Sequence, residues 1–68
     1  MDDRIKIGRR ISQLRKERGL SQEKLADISG VTWANISRIE LGKYSVGIDV
    51  LSKIANALDC EIDFVPKS

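Results

Sequence analysis

No histidine occurs in the 68 residues, which removes the usual general base and the commonest metal ligand together. A single cysteine, Cys60, can form neither an internal disulfide nor a thiolate pair for zinc, and a lone thiol fits a reducing cytoplasm. No apolar run approaches the roughly 18 residues that a membrane-spanning helix needs. The start, Met1-Asp2-Asp3-Arg4, lacks the apolar stretch that follows a basic start in a secretory signal. Glycine is scarce and dispersed: Gly42, Gly47 and the others stand singly, so no glycine-rich phosphate loop is present. The carboxylates are scattered among basic residues. These absences argue against an enzyme, and the expectation is no catalytic residue, no metal, no cofactor and no membrane partner.

A chain of this length forms one domain, residues 1–68, with a limited core that dimerisation or well-fitted helix packing would help. The formal charge of +2 is small, but it is unevenly placed. Residues 1–43 hold ten of the twelve Lys/Arg and six of the ten Asp/Glu, whereas residues 44–68 hold two and four. The N-terminal two-thirds therefore carries the positive field, as a phosphate-facing surface does, although a basic helix is also a common solvated face.

The pattern along the chain is helical with short punctuation. Ile7, Ile11 and Leu14 recur at i, i+4 and i+7, one stripe of a helix over about 4–18 that Asp2 or Asp3 can cap and Gly19 stops. Gly8 inside this helix costs about 1 kcal/mol relative to alanine, which a close backbone approach would explain. Ser21 caps a second helix over 22–29, with Leu25, Ala26 and Ile28 on its buried side. Lys24 stands where a capping-box glutamate would, so the box is incomplete. Ser29-Gly30-Val31 is a tight connection, Thr32 caps a third helix over 33–40, and Gly42 follows its last turn. A loop through Tyr44–Gly47 leads to a fourth helix over 48–58, built on Val50, Leu51, Ile54, Ala55 and Leu58. Residues 60–65 alternate Cys60, Ile62, Phe64 against Glu61, Asp63, Val65 before Pro66, which favours a short strand, with a terminal helical turn as the alternative.

Two short helices joined by a turn with glycine at its centre make a helix-turn-helix pattern. The residues themselves add to this: Arg15-Lys16, Gly19-Leu20-Ser21-Gln22, Leu25-Ala26, Gly30-Val31, Ile36-Ser37, Ile39-Glu40-Leu41-Gly42-Lys43, then Ile54-Ala55-Asn56-Ala57-Leu58. Over roughly residues 5–58 the chain resembles the XRE/Cro-type helix-turn-helix family, the lambda-repressor-like DNA-binding domains. The resemblance implies an all-α, compact four-helix domain that binds double-stranded DNA, with the segment after the fourth helix as a short strand or turn.

At about 100° per residue, Ile36, Ile39 and Glu40 fall on one side of the third helix and Ala34, Arg38 and Leu41 nearly opposite. The apolar side must face the other helices, so the Ala34/Arg38 side faces outward and suits a major groove about 12 Å wide. Arg38 is the leading base reader, since its fork matches the two acceptors of guanine. Ala34 suits a thymine methyl, and Thr32 a base or a phosphate. Trp33 stands where the family often has a polar base-contacting residue. Its indole can pack on a thymine methyl and sugar while its N–H donates to a phosphate, or it can fold back over the first or second helix. Gln22, at a helix start, is placed to bind phosphate. Asn35, Ser37 and Lys43 flank the reading helix as further phosphate contacts, and Arg9, Arg10 and Lys16 add long-range attraction. The resemblance implies that Gln22 both binds phosphate and buttresses the recognition helix. It also implies that Glu40, on the inward side, pairs with Arg15 in a structural ion pair.

The resemblance further implies a homodimer on a palindromic operator. Two surfaces are candidates for dimerisation: the fourth helix with its loop, through Tyr44, Val46 and Ile48 beside Val50, and the tail, through Ile62 and Phe64. The leading expectation is a cytoplasmic transcriptional repressor or regulator. The alternating tail also resembles antitoxins of the HipB type, which bind an operator and a toxin protein. A third reading is the DNA-binding part of a larger regulator.

Overall fold

The computed structural model describes residues 2–67, which form four helices: α1 (Asp3–Glu17), α2 (Gln22–Ser29), α3 (Trp33–Glu40) and α4 (Ile48–Ala57). Local chemistry sets each start. The Asp2 carboxylate accepts from the Arg4 N–H at 2.8 Å, the Ser21 hydroxyl oxygen from the Lys24 N–H at 3.0 Å, and the Thr32 oxygen from the Asn35 N–H at 3.3 Å. α4 begins at Gly47 without a side-chain cap.

The ends of α1, α3 and α4 share one construction. After α3, the Gly42 N–H bonds to the Ile39 carbonyl and the Lys43 N–H to the Arg38 carbonyl, with Gly42 at φ 74°. After α4, the same two bonds run from Asp59 to Asn56 and from Cys60 to Ala55, but the left-handed position is held by Asp59 at φ 56°. Asp59 is the one non-glycine residue with positive φ among the described residues.

The core consists of Ile11, Leu25, Val31, Ile36, Ile39, Ile54 and Leu58, one or two apolar side chains from each helix and one from the turn. Leu25 and Ile36 are fully buried, so α2 and α3 are joined through their apolar stripes. α3 packs on both α1 and α2, and α4 packs on α2. Gly8 is what lets α1 approach α3: a Cβ at this position would collide with the Ile39 carbonyl oxygen and meet that of Glu40 at 3.0 Å. The close approach that its placement in a helix called for is made by the C-terminal turn of α3.

The strand expected over 60–65 is not formed, and neither is a helical turn: residues 60–67 have no regular secondary structure. Alternation selects two faces, but a strand also needs a neighbour to bond with. The Cys60 N–H is already taken by the α4 terminus, and among the described residues there is no strand for the chain beyond it to pair with. Phe64 and Val65 are 97% and 83% exposed.

Candidate nucleic-acid interface

Gly30 terminates α2 in the left-handed region, at φ 74°, and turns the chain into Thr32, so that the starts of α2 and α3 border one open groove. Its lining includes Ser21, Lys24, Asp27, Thr32 and Trp33. On α3, Ile36 and Ile39 are buried while Thr32, Trp33, Ala34 and Arg38 are all exposed. Asn35 and Ser37 lie half-buried on the flanks, and Lys43 is exposed just beyond the helix. The helix thus offers a narrow outward edge of four consecutive or near-consecutive side chains. One is cationic, one is aromatic and two are small.

Beneath this edge runs a chain of polar contacts. The Trp33 indole N–H donates to Gln22 Oε1 at 3.3 Å, and Gln22 Nε2 donates to Glu40 Oε1 at 3.1 Å. Arg15 donates from Nε to Glu40 Oε2 at 2.7 Å and from Nη2 to Oε1 at 3.1 Å, and its Nη1 donates to the Leu20 carbonyl at 2.7 Å. The Arg15 and Glu40 side chains are only 11% and 6% exposed, so the pair is taken largely out of water. Burial pushes the Glu40 carboxyl up. Hydrogen bonds from Arg15 and Gln22, the positive charge of Arg15 and a further bond from Ser12 outweigh it, holding Glu40 below its usual value. The Glu40 carboxylate is therefore turned inward and ties α3 to α1.

Ser12, one turn of α1 before Arg15, also helps to lower the Glu40 carboxyl, and its i, i+3 spacing from that arginine was the available signal. Trp33 is 55% exposed, and its indole N–H is held by Gln22 at the start of α2, the direction of the alternative in which the side chain folds back over the second helix. That contact depends on how α3 docks against α2, which no local pattern encodes. Gln22 is left with one Nε2 hydrogen and its place at the start of α2 for an outside partner.

The residues singled out for dimerisation divide by environment. Tyr44 and Val46 line a groove with Ile7, Ile39 and Leu51. Ile62 lines a second, largely apolar groove with Ile7, Ile11, Leu51 and Ile54. Ile7 and Leu51 belong to both, so the loop before α4 and the start of the tail border one continuous apolar strip. Ile48 and Phe64 project into solvent outside it. Arg9, Arg10 and Lys16 are exposed on α1. Among the described residues, no helix is long and apolar enough to cross a membrane.

A family profile described as helix-turn-helix matches residues 11–65. The chain is 42% identical over 53 residues to the HTH-type transcriptional regulator PuuR of Escherichia coli, an alignment that takes in 78% of this chain and 29% of that one. It is 38% identical over 56 residues to the competence pilus inhibition repressor of Acinetobacter baylyi, covering 82% of this chain and 51% of the repressor. The chain thus spans between about a third and a half of the length of these relatives. Among solved structures, the restriction-modification controller protein C.AhdI from Aeromonas hydrophila superposes with a TM-score of 0.84 at 41% identity, over 87% of this chain and 89% of that one.

Proposed function

The chain belongs to the XRE-type helix-turn-helix family of DNA-binding transcriptional regulators, and from that premise we propose that it is a homodimeric repressor that reads a palindromic operator with the outward edge of α3. The observation that carries the reading is the division of α3 into an exposed edge of Thr32, Trp33, Ala34 and Arg38 and a face fixed by Ile36, Ile39 and the Gln22–Glu40–Arg15 network. A helix held at its first and last turns presents its side chains at a set depth in a major groove, which is what sequence reading requires. In this arrangement Arg38 reads a guanine through both acceptors, and Thr32, Trp33 and Ala34 cover the adjoining base edges. Gln22, Asn35, Ser37 and Lys43 hold the phosphates on either side.

Dimerisation follows from the specificity such a module needs, since one short helix discriminates poorly against a genome of competing sites. The apolar strip bounded by Tyr44, Val46, Ile7, Leu51 and Ile62 supports a second copy there. The repressor role is supported by the printed name of the Acinetobacter relative, and a DNA-binding regulator of this kind works in the cytoplasm.

Selection of duplexes from a random pool by the purified chain tests the reading. The expected product is an inverted repeat with half-sites about one helical turn apart, near 10 base pairs centre to centre. A pool that stays random after repeated rounds sinks it.

A second reading is favoured by the exposed Phe64 and Val65: an antitoxin whose tail is covered by a toxin protein. Light scattering separates the two. A dimer of the chain alone that becomes monomeric on Ile62→Asp supports self-association. A monomer that assembles stoichiometrically with a second purified protein, and loses it on Phe64→Asp, supports the antitoxin.

A further inference from the structure

We propose that the first turn of α3 recognises the 5-methyl group of a pyrimidine, with Trp33 as the specificity-determining residue. The proposal rests on the DNA-binding reading above and refines it.

The indole N–H is the one hydrogen-bonding group a tryptophan side chain possesses, and in Trp33 it is directed into the protein, onto Gln22 Oε1 at 3.3 Å. The acceptor is itself fixed. The amide of Gln22 is oriented by its other end, where Nε2 donates to Glu40 Oε1 at 3.1 Å, and Glu40 is gripped by two nitrogens of Arg15. Turning the amide over would set Nε2 against the Trp33 N–H and Oε1 against the carboxylate, losing both bonds. The indole nitrogen is therefore paired within the protein while the residue stays more than half exposed, and the rest of the ring is carbon. The next side chain, Ala34, is also exposed and is a single methyl group.

The first two side chains of the reading helix thus present apolar surface and no free donor or acceptor. In the major groove, three of the four bases offer only hydrogen-bonding groups, and thymine adds the C5 methyl. Donors and acceptors covered by Trp33 and Ala34 would lose water without gaining a partner, whereas a methyl gains contact. Arg38, one turn further along the same edge, meets the opposite requirement and takes hydrogen-bond acceptors. The edge then reads two chemistries in order: a 5-methylpyrimidine under Trp33 and Ala34, and a purine acceptor pair under Arg38. Thymine and 5-methylcytosine carry the same methyl, and the two are separated below.

The test uses the duplex selected by the full chain. Each thymine is replaced in turn by deoxyuridine, which removes the methyl and nothing else. At one or two positions per half-site the wild-type chain should lose about fourfold in affinity for each methyl removed. Trp33→Ala should bind the thymine and uracil duplexes alike, while Trp33→Phe, which keeps a carbon face, should retain the preference. In a second arm, a C·G pair at the responsive position is compared with 5-methylcytosine·G. A gain similar to the uracil loss extends the recognition to both methyl sources, and no gain assigns it to thymine.

Uracil duplexes bound as tightly as thymine at every position would overturn the proposal while leaving DNA reading intact. So would a uracil penalty of unchanged size in Trp33→Ala, and so would a Trp33→Ala loss equal on all duplexes, the mark of a phosphate contact. Failure of the parent reading looks different, because no duplex is then enriched and the chain binds all sequences alike. Circular dichroism of Trp33→Ala checks that the fold persists, as expected for a side chain outside the core.

Discussion

Glu40 illustrates how one side chain can sit on a reading helix without taking part in reading. Its carboxylate is bonded by Arg15 and Gln22, and these bonds, with a smaller contribution from Ser12, hold its pKa low against the opposing push of burial. A carboxyl group with a lowered folded-state pKa adds stability above its ordinary range and loses it as pH falls through that range, near and below the usual 4.5. The domain should therefore lose stability on acidification below that value, and Glu40→Gln should lack this component. At neutral pH the same substitution leaves Arg15 desolvated beside a neutral amide and should cost about 3–5 kcal/mol. Urea titrations of both proteins at neutral pH and at about pH 3 check the two statements. Equal acid sensitivity in the two proteins would mean that other carboxylates dominate. Arg38 stands at the opposite extreme, exposed and outside the polar network. Arg38→Ala should leave the unfolding midpoint almost unchanged while weakening binding to the selected duplex by about 1–3 kcal/mol, with a smaller effect on random DNA. Equal losses on both would make Arg38 a phosphate contact. The placements of Arg38 and Ala34 were legible because helical angle alone fixes them. The bond from Trp33 to Gln22 was not, since it spans eleven residues of sequence and two helices.

Among the elements, α1 and α4 each carry a residue that local rules would not choose. Helix propensity alone says that Gly8→Ala should stabilise α1 by about 1 kcal/mol. The contact with the Ile39 and Glu40 carbonyls says the reverse, because the added methyl must push α1 from the end of α3. Overpacking of this kind costs about 1–3 kcal/mol, and the net sign, read from denaturant midpoints, should be destabilising. Asp59 poses the converse case. It holds a left-handed position that glycine fills after α1 and α3, and nothing comparable crowds it. Asp59→Gly should stabilise the domain by about 1 kcal/mol, visible as a raised unfolding midpoint. The four helices could be read from sequence because caps, stripes and terminating glycines act within a few residues. The tail could not, because the alternation of residues 60–65 states which side chains share a face and is silent on whether a partner strand exists. Similarly, Tyr44 and Ile62 pointed to two separate dimer surfaces, and only the folded chain joins them, through Ile7 and Leu51, which line both grooves.

At the level of the whole molecule, charge is unevenly divided along the chain. The basic residues gather in the first 43 positions, on α1 and around the helix-turn-helix, while the acidic balance and the exposed apolar side chains Phe64 and Val65 belong to the remainder. The central claim is that the outward edge of α3 is the part that meets DNA. It is tested most directly by following backbone and side-chain NMR signals of the chain as a duplex chosen from the random pool is added. The largest shifts should fall on Gln22, on Thr32, Trp33 and Ala34, on Arg38 and on Lys43, with the Trp33 indole N–H still protected by Gln22. Shifts confined to α4 and the tail, with α3 unmoved, would contradict it.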